Sequence, residues 1–548
     1  MSIPKKIYSI AEEIGLKDDD YYPYGHYIGK VKWQVVERLK ENPKAKLILV
    51  TAMTPTSSGE GKTTTTIGLG DALHRLGKKV IVCLREPSLG PIFGIKGGAV
   101  GGGKAKLFPE LDINLHFTGD IHAVSSSHNL LAAMIDNHIY HGNELKIDPS
   151  QVLWKRCIDM NDRQLRSIIT GLGGKSNGTP REDGFEITAA SEVMAILSLA
   201  KDLKDLKERL SNIIIGVNEK GLPVFSKDLG VHNAMAVLLK DAISPNLVQT
   251  LEGTPTFVHS GPFANIAHGC SSIIATTIAS SIADYVVTEA GFGSDLGGEK
   301  FFDIKCRVGG FYPNVAVLVA SVRAIKLHGG MNNKDIDKED VKVLEDGLRN
   351  VFHHIHILKD IFKVPVVVAI NRFPTDTEKE LDFIKKRIGE IGIRVAVSDV
   401  YERGAEGGIN LAKEVIDAIS VDKNSFSYLY SLDESYEEKI NRIAREVYGA
   451  KAVNLTEEAK QGLNRIHKWG FEGLPICMAK TQYSLSDNPK LLGKPDNFSI
   501  SIQRVKLALG AGFLVAYTGN IITMPGLPRV PLATKVEIDD VGNVTGII

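Results

Sequence analysis

An apolar run of strand length, LILVTAM from Leu47 to Met53, leads through a polar, glycine-rich turn into an amphipathic stretch that opens at Lys62 and closes near Gly77. This strand, loop and helix constrain the fold more than any other feature of the chain. The next run, KKVIVCLRE from Lys78 to Glu86, is again strand-like, so residues 46–86 predict a βαβ unit. Such units almost always place their strands parallel, because a right-twisted strand feeding a right-handed helix packs back onto the sheet in only one way. An α/β fold follows.

Four further runs have the continuous apolar character of strands buried on both faces: DYVVTEAG (284–291), VAVLVAS (315–321), VPVVVAINRF (364–373) and IRVAVSDV (393–400). Helix-length segments separate them, so they are expected to continue the same sheet. At 548 residues the chain exceeds the size at which one core keeps growing, and several domains are expected. Residues 1–149 and 246–425 read as one discontinuous domain. Residues 150–245 read as an insertion, with a hairpin in IIIGVNEKGLPVFS and a surface helix in KDLKDLKERL, and residues 426–548 read as a third unit. No fixed-period repeat and no low-complexity tract is visible.

Charge excludes some functions. The 65 basic side chains balance 65 acidic ones, so no overall positive field favours nucleic acid. The five cysteines (Cys83, Cys157, Cys270, Cys306, Cys477) are widely spaced without a CxxC pair, which argues against a disulfide framework or a structural zinc site. The first residues lack the apolar stretch of a secretion signal, and no apolar run approaches the roughly 18 residues that span a bilayer. A soluble, cytoplasmic protein is expected.

The turn after the first strand, Thr54-Pro-Thr-Ser-Ser-Gly-Glu-Gly-Lys-Thr-Thr, places Gly61-Lys62-Thr63 where a phosphate loop belongs. Glycines let backbone N–H groups face phosphate oxygens, the helix N-terminus adds a favourable dipole, Lys62 can reach terminal phosphates, and Thr63 can hold magnesium. The pattern is degenerate, since Thr56 stands where glycine is standard. A glycine-rich turn before an ordinary helix is the plainer alternative. The second strand ends in Arg85-Glu86-Pro87-Ser88-Leu89-Gly90, followed by a glycine run to Gly103. Open α/β sheets bind ligands beyond their strand C-termini, and an arginine there can fork two donors onto a phosphate or carboxylate. A flexible surface loop is the competing reading.

The segments TPTSSGEGKTTTTIGLGDAL, REPSLGPIFGIKGGAVGGG, NLHFTGDIHAVSSSHNLLAAMIDNH, GPFANIAHGC, TEAGFGSDLGGEKFFDIKCR, VASVRAIKLHGG, NRFPTDT and PICMAKTQYSLSD together resemble formate–tetrahydrofolate ligases, in family order from about residue 20 to the C-terminus. The resemblance implies a large P-loop NTPase-like domain with a mostly parallel sheet, two smaller α/β domains, and a homotetramer. It implies Mg-ATP and tetrahydrofolate as substrates with formate, an activating potassium or ammonium ion, and formyl phosphate as intermediate. By position, the ATP site would comprise Thr56, Ser57, Ser58, Gly59, Glu60, Gly61, Lys62, Thr63 and Phe292. Lys62, Arg85 and Glu86 would be catalytic, and Thr63 would hold magnesium. Glu86, Phe373, Val397 and Tyr401 would bind folate, Phe373 by stacking on the pterin.

The chain departs from the family pattern in three places. Tyr401 stands where tryptophan is common, and Val100 and Lys104 stand where alanine and tyrosine are usual. Glu289, ending VVTE, is a candidate for supporting magnesium through water. Asp120, His122, His128 and His268 lie in family-like blocks but stay outside the catalytic set, because a lone histidine is more often a structural hydrogen-bonder. Two other classes compete: a switch-type NTPase hydrolysing ATP without formate, and a ligase of the same kind acting on another carboxylate.

Overall fold

A computed structural model describes residues 3–39, 44–56, 59–96, 98–519 and 521–547. Seven parallel strands form the centre of the main sheet, in the order Pro255–Val258, Val80–Leu84, Tyr285–Glu289, Lys46–Ala52, Val315–Ala320, Val366–Asn371, Arg394–Ser398. Antiparallel strands Asn246–Thr250, Ile28–Val31 and Tyr21–Tyr24 extend its first edge. The expected βαβ unit is present, but its two strands are not neighbours. Tyr285–Glu289 inserts between them and pairs with both, bringing the carboxylate of Glu289 beside the phosphate-loop strand.

The apolar runs are explained by burial on both faces. Every residue of Val80–Leu84, Val315–Ala320 and Val366–Asn371 is buried. The helix Lys62–Arg75 covers one face, tightly packed on both sides. A Cβ on Gly68 would lie 2.4 Å from Val400, and one on Gly70 would lie 2.4 Å from Val82. These helix glycines, unfavourable by propensity, are required by close packing.

Asp71 lies within the same helix with its carboxylate buried. Its Oδ1 accepts from the hydroxyls of Thr250 at 2.5 Å and Thr254 at 2.6 Å, while Oδ2 has no partner. Burial pushes its pKa up from 3.8 to about 7, against the two hydroxyl hydrogen bonds. Between those values the folded chain holds a proton that the unfolded chain has lost, so this group makes stability fall as pH rises. Asp71→Asn removes the ionisation. Its unfolding midpoint relative to the parent is expected to rise between about pH 5 and about pH 8, read from urea titrations; a constant difference contradicts the assignment.

Segments outside the main sheet carry small sheets. Ile214–Asn218 and Pro223–Phe225 form the expected antiparallel hairpin, joined by Ile147–Val152. The expected surface helix is Leu203–Ser211, which buries Leu206 and Leu210. Toward the C-terminus, Ala452–Leu455, Ser499–Ala508, Phe513–Thr518 and Ile476–Ala479 form a four-stranded sheet in that order. All five cysteines are buried and unpaired. Among the described residues, no helix is long and apolar enough to cross a membrane.

Candidate active site

The turn expected to be a phosphate loop leaves the C-terminal end of Lys46–Ala52 and closes at Gly61, the N-cap of the following helix, with φ 73°. That left-handed conformation suits glycine. The position is also crowded: a Cβ on Gly61 would lie 2.3 Å from Nδ2 of Asn371. Asn371 Nδ2 donates to the carbonyl of Glu60 at 3.1 Å, so the end of a neighbouring strand holds the loop. Glu60 is buried beneath it and accepts from the N–H of Thr56 at 2.7 Å. Burial pushes the Glu60 carboxyl up to about 7, although the Thr56 bonds and Lys62 pull the other way. Ser57 and Ser58 lie outside the described residues.

Lys62 opens the helix among several charges. Burial pushes its ammonium pKa down, Glu289 and then Glu60 push it back up, and Arg85 adds to the depression. Thr63 donates its hydroxyl to Glu289 Oε2 at 2.9 Å, and Arg85 Nη2 lies 3.9 Å from Glu289 Oε1. Glu289 therefore ties the threonine expected to hold magnesium to the arginine expected to hold an acyl phosphate. Among the described residues no cluster of three or more His, Cys, Asp or Glu could hold a metal by itself. A phosphate-loop hydroxyl with a carboxylate behind it fits a magnesium ion that takes its other ligands from nucleotide and water.

Arg85 and Glu86 follow Val80–Leu84, which Tyr285–Glu289 separates from the strand Lys46–Ala52. Arg85 Nη1 donates to the carbonyl of Pro262 at 3.2 Å, and its Nε is a buried donor without a partner. The N–H of Glu86 donates to the carbonyl of Ser260 at 2.8 Å. A Cβ on Gly261 would lie 2.4 Å from the Glu86 carbonyl, and one on Gly291 would lie 3.1 Å from Arg85 Nη1, so two glycines let these backbones close around the pair. Glu86 is buried and its Oε2 lacks a partner. Its pKa is driven well above the usual carboxylate range by burial, then by Asp120, with Lys30 opposing.

No local pattern in the chain marks Asp120 and Lys30 as neighbours of Glu86. Lys30 Nζ donates to Asp120 Oδ1 at 2.7 Å and to Asn246 Oδ1 at 3.0 Å, all three buried. Sheet pairing sets Lys30 opposite Asn246, and Asp120 meets both from the start of the helix Asp120–Tyr140. Of the histidines left outside the expected catalytic set, His128 Nε2 meets the Lys155 carbonyl at 2.8 Å and His268 Nε2 meets Ser198 Oγ at 2.9 Å. His122 Nε2 lies 3.4 Å from Ser126 Oγ on an exposed helix face.

Of the residues expected to bind folate, Phe373, Val397 and Tyr401 lie toward the C-terminal ends of the last strands, whereas Glu86 follows Val80–Leu84, with three strands between it and Val366–Asn371. Phe373 follows Val366–Asn371, Val397 lies in Arg394–Ser398 opposite Ile370, and Tyr401 sits in the short helix Val400–Arg403. Phe373 is half-buried, with the Arg323 guanidinium 5.8 Å from its ring centroid; Tyr401 is 50 % exposed. The end of the glycine run, Gly101 to Gly103, packs between Tyr401 and Ile67. A Cβ on Gly102 would lie 3.0 Å from the Tyr401 ring, one on Gly103 would lie 2.2 Å from its carbonyl, and one on Gly101 would lie 2.7 Å from Ile67 of the phosphate-loop helix. These glycines therefore join Tyr401 to the helix Lys62–Arg75. Phe292 follows Glu289 with φ 61°, a left-handed backbone that a bulky residue rarely adopts.

The turn at Gly61, the Arg85–Glu86 pair and Phe373 all follow the C-terminal ends of parallel strands of one sheet. A family model described as formate–tetrahydrofolate ligase matches residues 2–548. Since that match spans essentially the whole chain, the protein belongs to the formate–tetrahydrofolate ligase family.

Proposed function

We propose that this chain joins formate to tetrahydrofolate in two steps driven by ATP, through formyl phosphate. The observation carrying this reading is the convergence of Lys62, Thr63 and Arg85 around Glu289 at one end of the parallel sheet. Formate is a poor acyl donor because oxide is a poor leaving group. Its carboxylate oxygen therefore attacks the γ-phosphorus, the bond to the β–γ bridging oxygen breaks, and ADP leaves. N10 of tetrahydrofolate then attacks the formyl carbon, the bond from that carbon to the phosphate oxygen breaks, and N10 loses a proton.

Phosphate charge must be neutralised in both steps, and such positioned charge usually supplies most of the catalysis of phosphoryl transfer. In this reading Lys62 reaches the transferring phosphoryl group. Thr63, oriented by Glu289, holds magnesium, which neutralises phosphate charge when bound. Arg85 grips the acyl phosphate through its guanidinium, whose Nε–H the protein leaves unfilled. Glu86, with an unpartnered oxygen and a raised pKa, is suited to hold the proton released by N10. Phe373, Val397 and Tyr401 supply the pterin site, and Thr56, Gly59, Glu60 and Phe292 frame the nucleotide. The proposed organisation is a discontinuous nucleotide domain (1–149 and 246–425), an inserted domain (150–245) and a C-terminal domain (426–548), assembled as a cytoplasmic homotetramer with an activating monovalent cation.

The test is ADP release with Mg-ATP and tetrahydrofolate, with and without formate, while formyltetrahydrofolate is followed as its acid-formed methenyl derivative. Formate-dependent product supports the ligase. ATP hydrolysis independent of formate, with no folate product even when potassium or ammonium is present, favours a switch-type NTPase; product from acetate at a similar rate shifts the carboxylate assignment. Tyr401 gives a finer prediction. An indole offers more stacking area than a phenol, worth about 1 kcal/mol, so Tyr401→Trp is expected to tighten tetrahydrofolate binding about fivefold. Calorimetric titration would measure this, and unchanged or weaker binding would count against a stacking role.

A further inference from the structure

Thr54, the first residue of the phosphate loop, is held at every polar atom. Its N–H donates to Asn350 Oδ1 at 3.3 Å, and its carbonyl accepts from His328 Nε2 at 2.8 Å. Its hydroxyl accepts from Asn350 Nδ2 at 2.9 Å and lies 2.9 Å from His354 Nε2. His354 Nδ1 in turn lies 2.7 Å from Ser294 Oγ, two residues beyond Phe292. The network continues into the C-terminal segment: the N–H of Gly493 donates to His328 Nδ1 at 2.9 Å, and its carbonyl accepts from Asn350 Nδ2 at 2.8 Å. Thr54, Ser294, Asn350 and His354 are all fully buried.

Hydrogen-bond inventory orients the network. A carbonyl only accepts, so His328 carries its proton on Nε2 for Thr54 and keeps Nδ1 bare for Gly493. Asn350 uses its oxygen for the Thr54 N–H and both amide hydrogens for Thr54 Oγ1 and the Gly493 carbonyl. The Thr54 hydroxyl accepts from Asn350 and shares a second hydrogen bond with His354 Nε2, while His354 Nδ1 shares one with the Ser294 hydroxyl. Burial pushes both histidines down in pKa, His354 well below the ordinary value, so the neutral tautomers persist. A second tie lies beside it, where Lys480 Nζ of the C-terminal segment sits 3.2 Å from Asp295.

We propose that His354 is a positioning residue for the nucleotide site. Through Thr54 and Ser294 it fixes the phosphate loop relative to the loop bearing Phe292. His328 and Asn350 anchor the same assembly to Gly493, so the C-terminal segment sets nucleotide geometry without touching the reacting atoms. This inference rests on the reading that Mg-ATP occupies this loop. Two features make rigidity consequential here. Phe292 holds a left-handed backbone that the surroundings must enforce. Misplacement by an ångström can also cost about a hundredfold in rate.

Four single variants separate positioning from general integrity. His354→Asn retains a polar atom near the Nδ1 position for Ser294 but releases Thr54, and His354→Gln does the reverse. Ser294→Ala is the mildest, and Gly493→Ala tests the C-terminal anchor, where φ is +71° and a Cβ would lie 2.8 Å from the His328 carbonyl. The measurements are calorimetric Mg-ATP affinity, KM for each substrate, and thermal unfolding. We expect nucleotide Kd to rise about tenfold in His354→Asn and about threefold in Ser294→Ala. KM for formate and tetrahydrofolate should stay within about twofold. Lower thermal stability with unchanged nucleotide affinity, or an equal rise in all three KM values, overturns the inference. Parent protein that binds no Mg-ATP overturns the functional reading as well, whereas parent binding matched by all four variants overturns this inference alone.

Discussion

Lys62→Ala is expected to lower formate-dependent formation of formyltetrahydrofolate by about 10³-fold in kcat, or roughly 4 kcal/mol of barrier. Lys62 opens the helix Lys62–Arg75, where burial lowers its pKa and Glu289, then Glu60, oppose that shift. Alanine would leave the Glu289 carboxylate beside the proposed phosphate site without that cation. Because the interaction strengthens as charge shifts onto the leaving group, kcat should fall more than KM for ATP rises. Initial rates across ATP concentrations decide the matter. A loss of less than about tenfold would remove Lys62 from the catalytic set and leave Arg85 as the main phosphate cation.

The second large effect concerns stability. Lys326 Nζ lies 2.6 Å from Glu380 Oε1, with both side chains almost wholly buried. Lys326 also donates to the carbonyls of Ile336 at 3.1 Å and Lys338 at 2.8 Å. Glu380 accepts from the N–H groups of Asp340 at 3.2 Å and Thr377 at 3.3 Å, residues that cap two helices. Removing one partner of such a pair strands the other charge in low dielectric, a loss of about 3–5 kcal/mol. Glu380→Leu should therefore destabilise the fold by that amount. The double variant Lys326→Met/Glu380→Leu should recover more than half, since no charge is left unpaired. Denaturant unfolding curves provide the comparison, and a double variant no more stable than Glu380→Leu contradicts the argument.

Much of the central sheet is legible along the chain. Strands such as Val315–Ala320 and Val366–Asn371 announce themselves because burial on both faces demands an unbroken apolar run. The phosphate loop is equally local: glycine at the helix N-cap, then Lys62 and Thr63, are consequences of how a chain turns from strand to helix around an anion. The glycine run, by contrast, reads equally well as flexible loop or ligand cradle. Its packing against Tyr401 depends on a partner some 300 residues away, which no local pattern encodes.

The α/β class and the family are thus properties of the amino-acid order alone, because each rests on short-range periodicity or on ordered blocks read along one chain. Tertiary structure decided which strand lies between the two of the βαβ unit. It thereby placed Glu289 between Thr63 and Arg85. It also decided that Lys30 and Asp120 act on Glu86, and that Thr54, His354 and Gly493 share one buried network. Those relations join residues far apart in sequence. They arise from strand order and burial, where the cost of an unpaired polar group in low dielectric selects partners that only the folded chain can bring together.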